Sequence, residues 1–136
     1  MDDKNGGLKY DSGKPDLTYI SLELLVGLAK VREFGDKKYT TPQAVGRDNW
    51  KKGFKFTKSL TAALRHIEQF LHREDFDKES KILHLYHAVA SIEHCIYDYI
   101  YHPYNDDRGP ASTEIDDILK RVTQKTMIGG SNETTI

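Results

Sequence analysis

Five polar residues mark one edge of an otherwise apolar segment near the middle of the chain. They are His84, His87, Ser91, His94 and Asp98, and their spacing of i, i+3, i+7, i+10 and i+14 aligns side chains along one edge of an α-helix. Imidazoles one turn apart can bind a metal ion or shuttle protons. A thin solvent-facing edge, or core histidines hydrogen-bonded to neighbouring helices, would give the same pattern, and the residue types leave these alternatives open.

Other predicted helices carry carboxylates and imidazoles that could meet this stripe. Glu33 ends the apolar row of Leu22, Val26 and Ala29, so its carboxylate is expected to point inward or toward an interface. Alternatively, it is a helix-end charge that reaches water. His66 lies at the margin of the apolar face of the next helix. Carboxylates and imidazoles that converge within a bundle commonly hold divalent or transition metals.

An acidic connector precedes the striped helix, and cations flank the loops. Glu74, Asp75, Asp77 and Glu79 place four carboxylates within six residues. They suit a divalent-cation site, or they serve the following helix, with Asp77 as its amino-terminal cap. Cationic side chains near the loops could neutralise phosphate oxygens, although ordinary solvation explains each one singly. These are Lys14, Lys37, Lys38, Lys51, Lys52 and Arg65.

The elements that must position these groups are helices. Apolar residues recur at spacings of three and four, which predicts an all-α bundle of three main helices plus a short carboxy-terminal helix. The first helix follows Ser21 as its cap and ends near Gly35 or Tyr39, and the others are expected over residues 57–72, 80–101 and 115–122. Ser112 or Thr113 would cap the last one. The predicted organisation is an ordered arm (1–20), a helical core (21–101), a linker with the last helix (102–125) and a disordered tail (126–136).

Length and composition exclude several classes of protein. A chain of 136 residues suits one domain with a core, and its net charge of −1 gives no nucleic-acid footprint. A single cysteine cannot form an internal disulfide. Because no apolar stretch is long enough to span a bilayer, we expect no membrane association and a cytoplasmic location.

Motifs in five segments, residues 9–17, 33–39, 49–53, 64–66 and 74–88, resemble a known family when they are taken in order. They read KYDSGKPDL, EFGDKKY, NWKKG, LRH, and EDFDKES followed by HLYHA. This set resembles the phage-associated dATP/dGTP diphosphohydrolase family, which is similar to the MazG-type all-α nucleotide pyrophosphohydrolases. The resemblance covers about residues 8–101 and leaves the carboxy-terminal helix and tail unaccounted for.

The resemblance implies a reaction and a set of site residues. A purine deoxynucleoside triphosphate would be hydrolysed to monophosphate and pyrophosphate with Mg²⁺ or Mn²⁺, in the cytoplasm of an infected bacterium if a phage encodes the chain. A homodimer or homotetramer is expected. Glu33 is the first choice for the catalytic group and metal ligand. The other implied residues are Glu79, His84 and His87 at the metal, Lys14, Lys37, Lys38 and Arg65 at the phosphates, Asn49 and Trp50 at the base, and His66 and Asp75 in support.

The sequence also departs from the MazG pattern. MazG-type enzymes carry paired acidic motifs, whereas the first predicted helix here ends in an ExxD that runs from Glu33 to Asp36, and His84 and His87 stand where acids would be expected. Imidazole is a poor ligand for Mg²⁺, so either Mn²⁺ or another metal is used, or these histidines contact phosphate. Two other functions therefore stay open. One is a nonenzymatic protein that sequesters a nucleotide, for example a host signalling nucleotide, and the other is a helical interaction module.

Overall fold

Ser21 caps the amino terminus of the first helix, as its position predicts. In the computed structural model, which describes residues 6–10, 12–109 and 114–123, helix α1 spans Leu22–Tyr39. The Ser21 hydroxyl accepts a hydrogen bond from the backbone N–H of Leu24 at 3.1 Å, and Lys37 and Lys38 occupy the last turn, where cations complement the helix dipole.

Two further α-helices complete the first part of the chain. Helix α2 spans Phe56–Leu71 and helix α3 spans His84–Tyr101. Short 3₁₀ helices occupy Leu17–Tyr19, Asn49–Lys52 and Pro103–Asn105. Helix α3 packs mainly against α2 and to a lesser extent against α1. The described residues contain α-helices and isolated bridges but no strand, which confirms the predicted all-α class.

The third helix begins later than its sequence pattern predicts. Residues 80–83 precede it, and Asp77 caps a turn instead of the helix. Its Oδ2 atom accepts the backbone N–H groups of Glu79 and Ser80, and its own N–H donates to the carbonyl of Ile82 at 2.8 Å. An isolated bridge between Phe76 and Leu83 closes the connector into a compact loop. The predicted start at Ser80 and the predicted helix-cap role of Asp77 are therefore wrong.

The polar stripe is the inward edge of α3. His84 and Asp98 are 0% exposed and Ser91 is buried, whereas Ile92 and Ile96 on the apolar side are exposed. The apolar side is exposed at these positions because α1 and α2 cover the striped side of the helix. A solvent-facing stripe is therefore excluded.

The chain divides into two compact units, Met1–Asp106 and Asp107–Ile136. The second contains helix α4, Ile115–Val122, whose ends carry opposite charges and whose Arg121 pairs with Asp117 at 3.2 Å. The predicted caps, Ser112 and Thr113, and the tail at 126–136 lie outside the described residues. None of the described helices combines the length and hydrophobicity needed to cross a membrane.

Candidate functional site

A cavity of about 210 Å³ lies in the first unit and is lined from α1, α2, α3 and both of the loops that join them. One end carries imidazoles, carboxylates and a lysine. The other end carries aromatic rings and Arg32. Six of the lining residues define these two ends: His66, Asp77 and Lys38 at the first, and Trp50, Phe54 and His94 at the second.

The half-buried imidazole of His66, the buried imidazole of His84 and a carboxylate form a hydrogen-bonded chain at the first end. Nδ1 of His66 lies 2.8 Å from Nδ1 of His84, and Nε2 of His84 lies 2.7 Å from Oε2 of Glu74. Because an ionised carboxylate only accepts, Nε2 of His84 carries the proton and donates it. In the neutral ring, Nδ1 of His84 therefore accepts from His66. Burial lowers the pKa of His66 to about 4, helped by the neighbouring His87 and His84.

The connector turn brings Asp77 and Ser80 to the same place. Oδ2 of Asp77 accepts from the Ser80 N–H at 2.7 Å and from the Glu79 N–H at 3.1 Å. The Ser80 hydroxyl lies 2.6 Å from Nε2 of His87, whose ring stacks on His66 with centroids 4.7 Å apart. Burial raises the pKa of Asp77, but the hydrogen bonds from Ser80 and the nearby imidazoles outweigh it, so the pKa lies below its usual value. Asp77 is therefore a carboxylate at neutral pH.

These groups could hold a metal ion. One ligand atom from each of His66, Asp77 and His84 lies within 4.8 Å of the other two. Two nitrogens and one carboxylate oxygen form a donor set that proteins use for transition metals.

Cationic side chains stand at the rim of the cavity. Nζ of Lys38 donates to Oε1 of Glu79 at 3.2 Å, and this hydrogen bond raises the pKa of Lys38. Arg47 lines the cavity from the loop after α1. That loop is held close because the N–H of Gly46 donates to the Thr40 hydroxyl at 2.8 Å. A side chain at Gly46 would collide with the backbone at the end of α1, so this close approach requires glycine.

An aromatic platform forms the other end. His94 stacks on Trp50 at 5.3 Å and on Phe54 at 5.4 Å between ring centroids. The Arg32 guanidinium lies 4.1 Å from the centre of the Trp50 ring, and its Nη1 donates to Nε2 of His94 at 2.8 Å. Burial, reinforced by the charge of Arg32, lowers the pKa of His94 to about 4. The His94 ring is therefore neutral at physiological pH.

Asp98 fixes this platform to α3. Its buried carboxylate accepts a hydrogen bond from the Phe54 N–H at 3.0 Å and another from Nδ1 of His102 at 2.7 Å. Gly53 next to it has φ of 103°, a conformation that suits glycine. The stripe residue Asp98 is thus a structural anchor for the loop that carries Trp50 and Phe54.

Comparison with known proteins identifies the family. Residues 4–108 match the sequence model of the family described as dATP/dGTP diphosphohydrolase, N-terminal. The chain belongs to this family. Over 102 residues it is 31% identical to a dATP/dGTP diphosphohydrolase of Salmonella phage PMBT28. The aligned residues make up 75% of this chain and 33% of that protein. The chain thus spans about a third of the curated relative that it matches. No solved structure matches it.

The matched family segment contains the whole cavity, but only part of the predicted site lines it. Predicted residues that line it are Lys38, Asn49, Trp50, His66, Glu79 and His87, and His84 lies buried against His66. The following predicted residues do not line it: Glu33, Lys14, Lys37, Arg65 and Asp75. Asp75 contributes through its backbone carbonyl, which accepts the His84 N–H at 2.8 Å.

Glu33, the first predicted catalytic residue, borders a second and more polar cavity. Its side chain is 67% exposed and pairs with Lys30 at 3.8 Å. The apolar row that it ends is exposed as well, with Leu22 and Val26 on the surface. This row was expected to point inward or toward an interface. Within the chain it faces outward.

Several residues that line the cavity of this chain were not predicted from the sequence. Arg32, Arg47 and Phe54 line it. Asp77, which the sequence offered either as a helix cap or as one of four carboxylates for a divalent cation, lines it as well and lies beside His66 and His84. His94 was visible only as a member of the polar stripe. The signal that could have placed His94 in the cavity was its alignment with His87 along one edge of α3, because both residues lie on the inward side of the helix.

Proposed function

We propose that this chain binds a purine deoxynucleoside triphosphate in the first cavity and hydrolyses it to the monophosphate and pyrophosphate. The observation that carries the proposal is the polarity of the cavity, with aromatic rings at one end and carboxylates, imidazoles and Lys38 at the other. A nucleotide has the matching division into base and phosphates. The family membership and the printed name of the phage relative support the same reaction class.

Each end of the cavity would have its own task. Trp50 and Phe54 would stack against the base, since an aromatic ring can stack on the face of any nucleobase. Lys38 and Arg47 would neutralise phosphate oxygens, with Arg47 able to make a bidentate contact. A divalent ion, Mg²⁺ or Mn²⁺, would supply charge neutralisation and a more acidic water. Glu79, in the connector turn, would accept the proton of that water.

Self-association would complete this proposal. The exposed apolar residues of α3, such as Ile92, Ile96 and Ile100, and the exposed row of α1 that ends at Glu33 support a homodimer or homotetramer. In such an assembly Glu33 would face a neighbouring subunit. Sedimentation velocity of the wild-type chain and of Ile96→Glu tests this, and a wild-type monomer at micromolar concentration would contradict it.

The catalytic proposal is tested by product analysis. The purified chain is incubated with dATP, dGTP, dCTP and dTTP, each with Mg²⁺ or Mn²⁺, and nucleotides and pyrophosphate are quantified. We expect dAMP or dGMP with an equal amount of pyrophosphate, and a rate at least about tenfold lower in Glu79→Gln. The matched control is Glu68→Gln, an exposed glutamate on α2 that lies outside the cavity. No purine turnover by folded protein would refute the proposal.

A nonenzymatic nucleotide-binding protein is the second candidate. The exposure of Glu33, the first predicted catalytic group, favours it. The same samples distinguish the two functions, because an intact purine nucleotide that stays bound in the presence of either metal, without release of pyrophosphate, identifies a binding protein.

A further inference from the structure

We propose that Nδ1 of His66, Nδ1 of His84 and the Asp77 carboxylate bind a resident first-row transition metal ion that Mg²⁺ does not replace. This site is separate from the magnesium that accompanies a nucleotide in solution. It goes beyond the proposed function and does not depend on it, because metal binding can be measured with no nucleotide present.

The pairing of the buried His84 with the half-buried Glu74 prepares one nitrogen for a metal. The Glu74 carboxylate accepts a hydrogen bond from Nε2–H of His84 at 2.7 Å, so Nδ1 of His84 carries the free electron pair. Histidines that ligate metals commonly donate their other N–H to a carboxylate in this way, which fixes the tautomer and increases the basicity of the ligand. His84 is 0% exposed, so its ring cannot turn outward to water.

The other two ligands are fixed by separate parts of the chain. Asp77 is held by two backbone N–H groups that both donate to Oδ2, which leaves Oδ1 to face an ion. His66 projects from α2 and is oriented by stacking on His87. To ligate through Nδ1, His66 places its own proton on Nε2. The three ligands therefore come from α2, the connector and α3, and each is positioned before an ion arrives.

Donor chemistry and spacing decide the class of metal. Mg²⁺ prefers oxygen ligands, whereas imidazole nitrogen suits iron, cobalt, nickel and zinc. Nitrogens 2.8 Å apart that each bind one ion at about 2.1 Å subtend an angle of about 85°. This angle fits neighbouring positions in octahedral coordination and is smaller than the tetrahedral angle that structural zinc sites adopt. Two imidazoles and one carboxylate then leave positions for water or for phosphate oxygens from the cavity.

Cobalt is the probe for the test. The full chain is stripped with a chelator, titrated with Co²⁺ in the absence of nucleotide, and followed by calorimetry and by visible absorption. We expect one Co²⁺ per chain with the weak absorption of a six-coordinate ion, and no displacement by a hundredfold excess of Mg²⁺. Asp77→Asn keeps the oxygen that caps the turn but loses the charge, and we expect it to weaken Co²⁺ binding at least tenfold.

Matched variants separate this site from other metal-binding groups. Glu74→Gln, which acts only through His84, is expected to weaken binding about 10- to 100-fold. His72→Asn removes an exposed histidine that directly follows α2, and Glu79→Gln removes an acid near the site. Both variants are expected to bind Co²⁺ as the wild type does. Absence of Co²⁺ binding by the folded wild-type chain, an unchanged affinity in Asp77→Asn, or displacement by Mg²⁺ would each overturn the proposal. None of these results depends on nucleotide hydrolysis.

Discussion

Glu74 lies ten residues before His84, and its Oε2 atom is 2.7 Å from Nε2 of that buried imidazole. The turn of the connector makes this meeting possible, since the His84 N–H also donates to the carbonyl of Asp75. A second glutamate–histidine pair, Glu68 with Nε2 of His72, has nearly the same separation, 2.6 Å, but is exposed at the end of α2. The two pairs share their chemistry and differ in burial.

This difference predicts unequal costs of truncation. Glu74→Ala leaves the buried N–H of His84 without its acceptor, and we expect the free energy of unfolding to fall by about 1–3 kcal/mol. Glu68→Ala removes only an exposed contact and is expected to change it by less than about 0.5 kcal/mol. Urea denaturation of both variants at pH 7 measures the difference. Equal losses would show that burial of His84 does not govern the energy of its pair.

Lys37 and Lys38 give a second matched comparison, on nucleotide binding. Only Lys38 lines the cavity, where it pairs with Glu79, whereas Lys37 lies on the exposed side of the same helical turn. We expect Lys38→Gln to weaken binding of a purine deoxynucleoside triphosphate about 10- to 100-fold, the loss of one hydrogen bond to a charged group. Lys37→Gln should bind like the wild type. Isothermal titration with dGTP and dATP tests this, and equal weakening by both substitutions would contradict the cavity as the phosphate site.

The sequence predicts the helices because their signals are local. Ser21 caps α1 through a hydrogen bond to Leu24, three residues away, and periodicity follows each helix along its length. The predicted start of α3 was wrong for the same reason. Asp77 accepts neighbouring N–H groups in a turn as it would at a helix cap, and only the pairing of Phe76 with Leu83 distinguishes the two.

The site depends on contacts that periodicity does not contain. Spacing places His84 and Asp98 on one edge of α3, but it does not state which edge the other helices cover. That edge is inward because α1 and α2 pack there. The partnership of His66 with His84 and that of Arg32 with His94 join residues on different helices, so neither could be predicted from one helix. The outward position of Glu33 is likewise set by packing.

The pKa of His94 predicts a pH dependence of stability. The folded value is about 4, below the value of 6.5 for an exposed histidine. A base with a lowered folded pKa contributes stability that is complete above pH 6.5 and is lost as the pH falls toward 4, because only the unfolded chain takes up the proton. Each pH unit in this window removes up to about 1.4 kcal/mol.

Substitution isolates the contribution of His94, since His66 and His87 have lowered pKa values too. Free energies of unfolding are measured between pH 7 and pH 4.5 for the wild type, His94→Gln and His72→Gln. We expect a shallower slope in His94→Gln and a wild-type slope in His72→Gln, whose ring is exposed. Parallel slopes in wild type and His94→Gln would show that His94 titrates normally in the folded chain.

Two glycines in α1 give opposite predictions for the same substitution. An added Cβ at Gly27 would overlap the ring of Tyr86, whose hydroxyl donates to the Glu23 carbonyl at 2.9 Å, whereas nothing lies within 4 Å of one added at Gly35. Alanine in a helix is favoured over glycine by about 0.5–1 kcal/mol, so Gly35→Ala should stabilise the fold by that amount. Gly27→Ala should destabilise it by about 1–3 kcal/mol, because the ring must move and lose its hydrogen bond.

A double-mutant cycle identifies the cause at Gly27. In a Tyr86→Ala background the ring is absent, so adding Gly27→Ala should become neutral or stabilising, with a coupling energy between the two sites of about 1–3 kcal/mol. Thermal and urea unfolding of the four proteins measure this energy. If Gly27→Ala destabilises the Tyr86→Ala protein as much as the wild type, close packing of α1 against α3 through this ring is not what requires glycine at position 27.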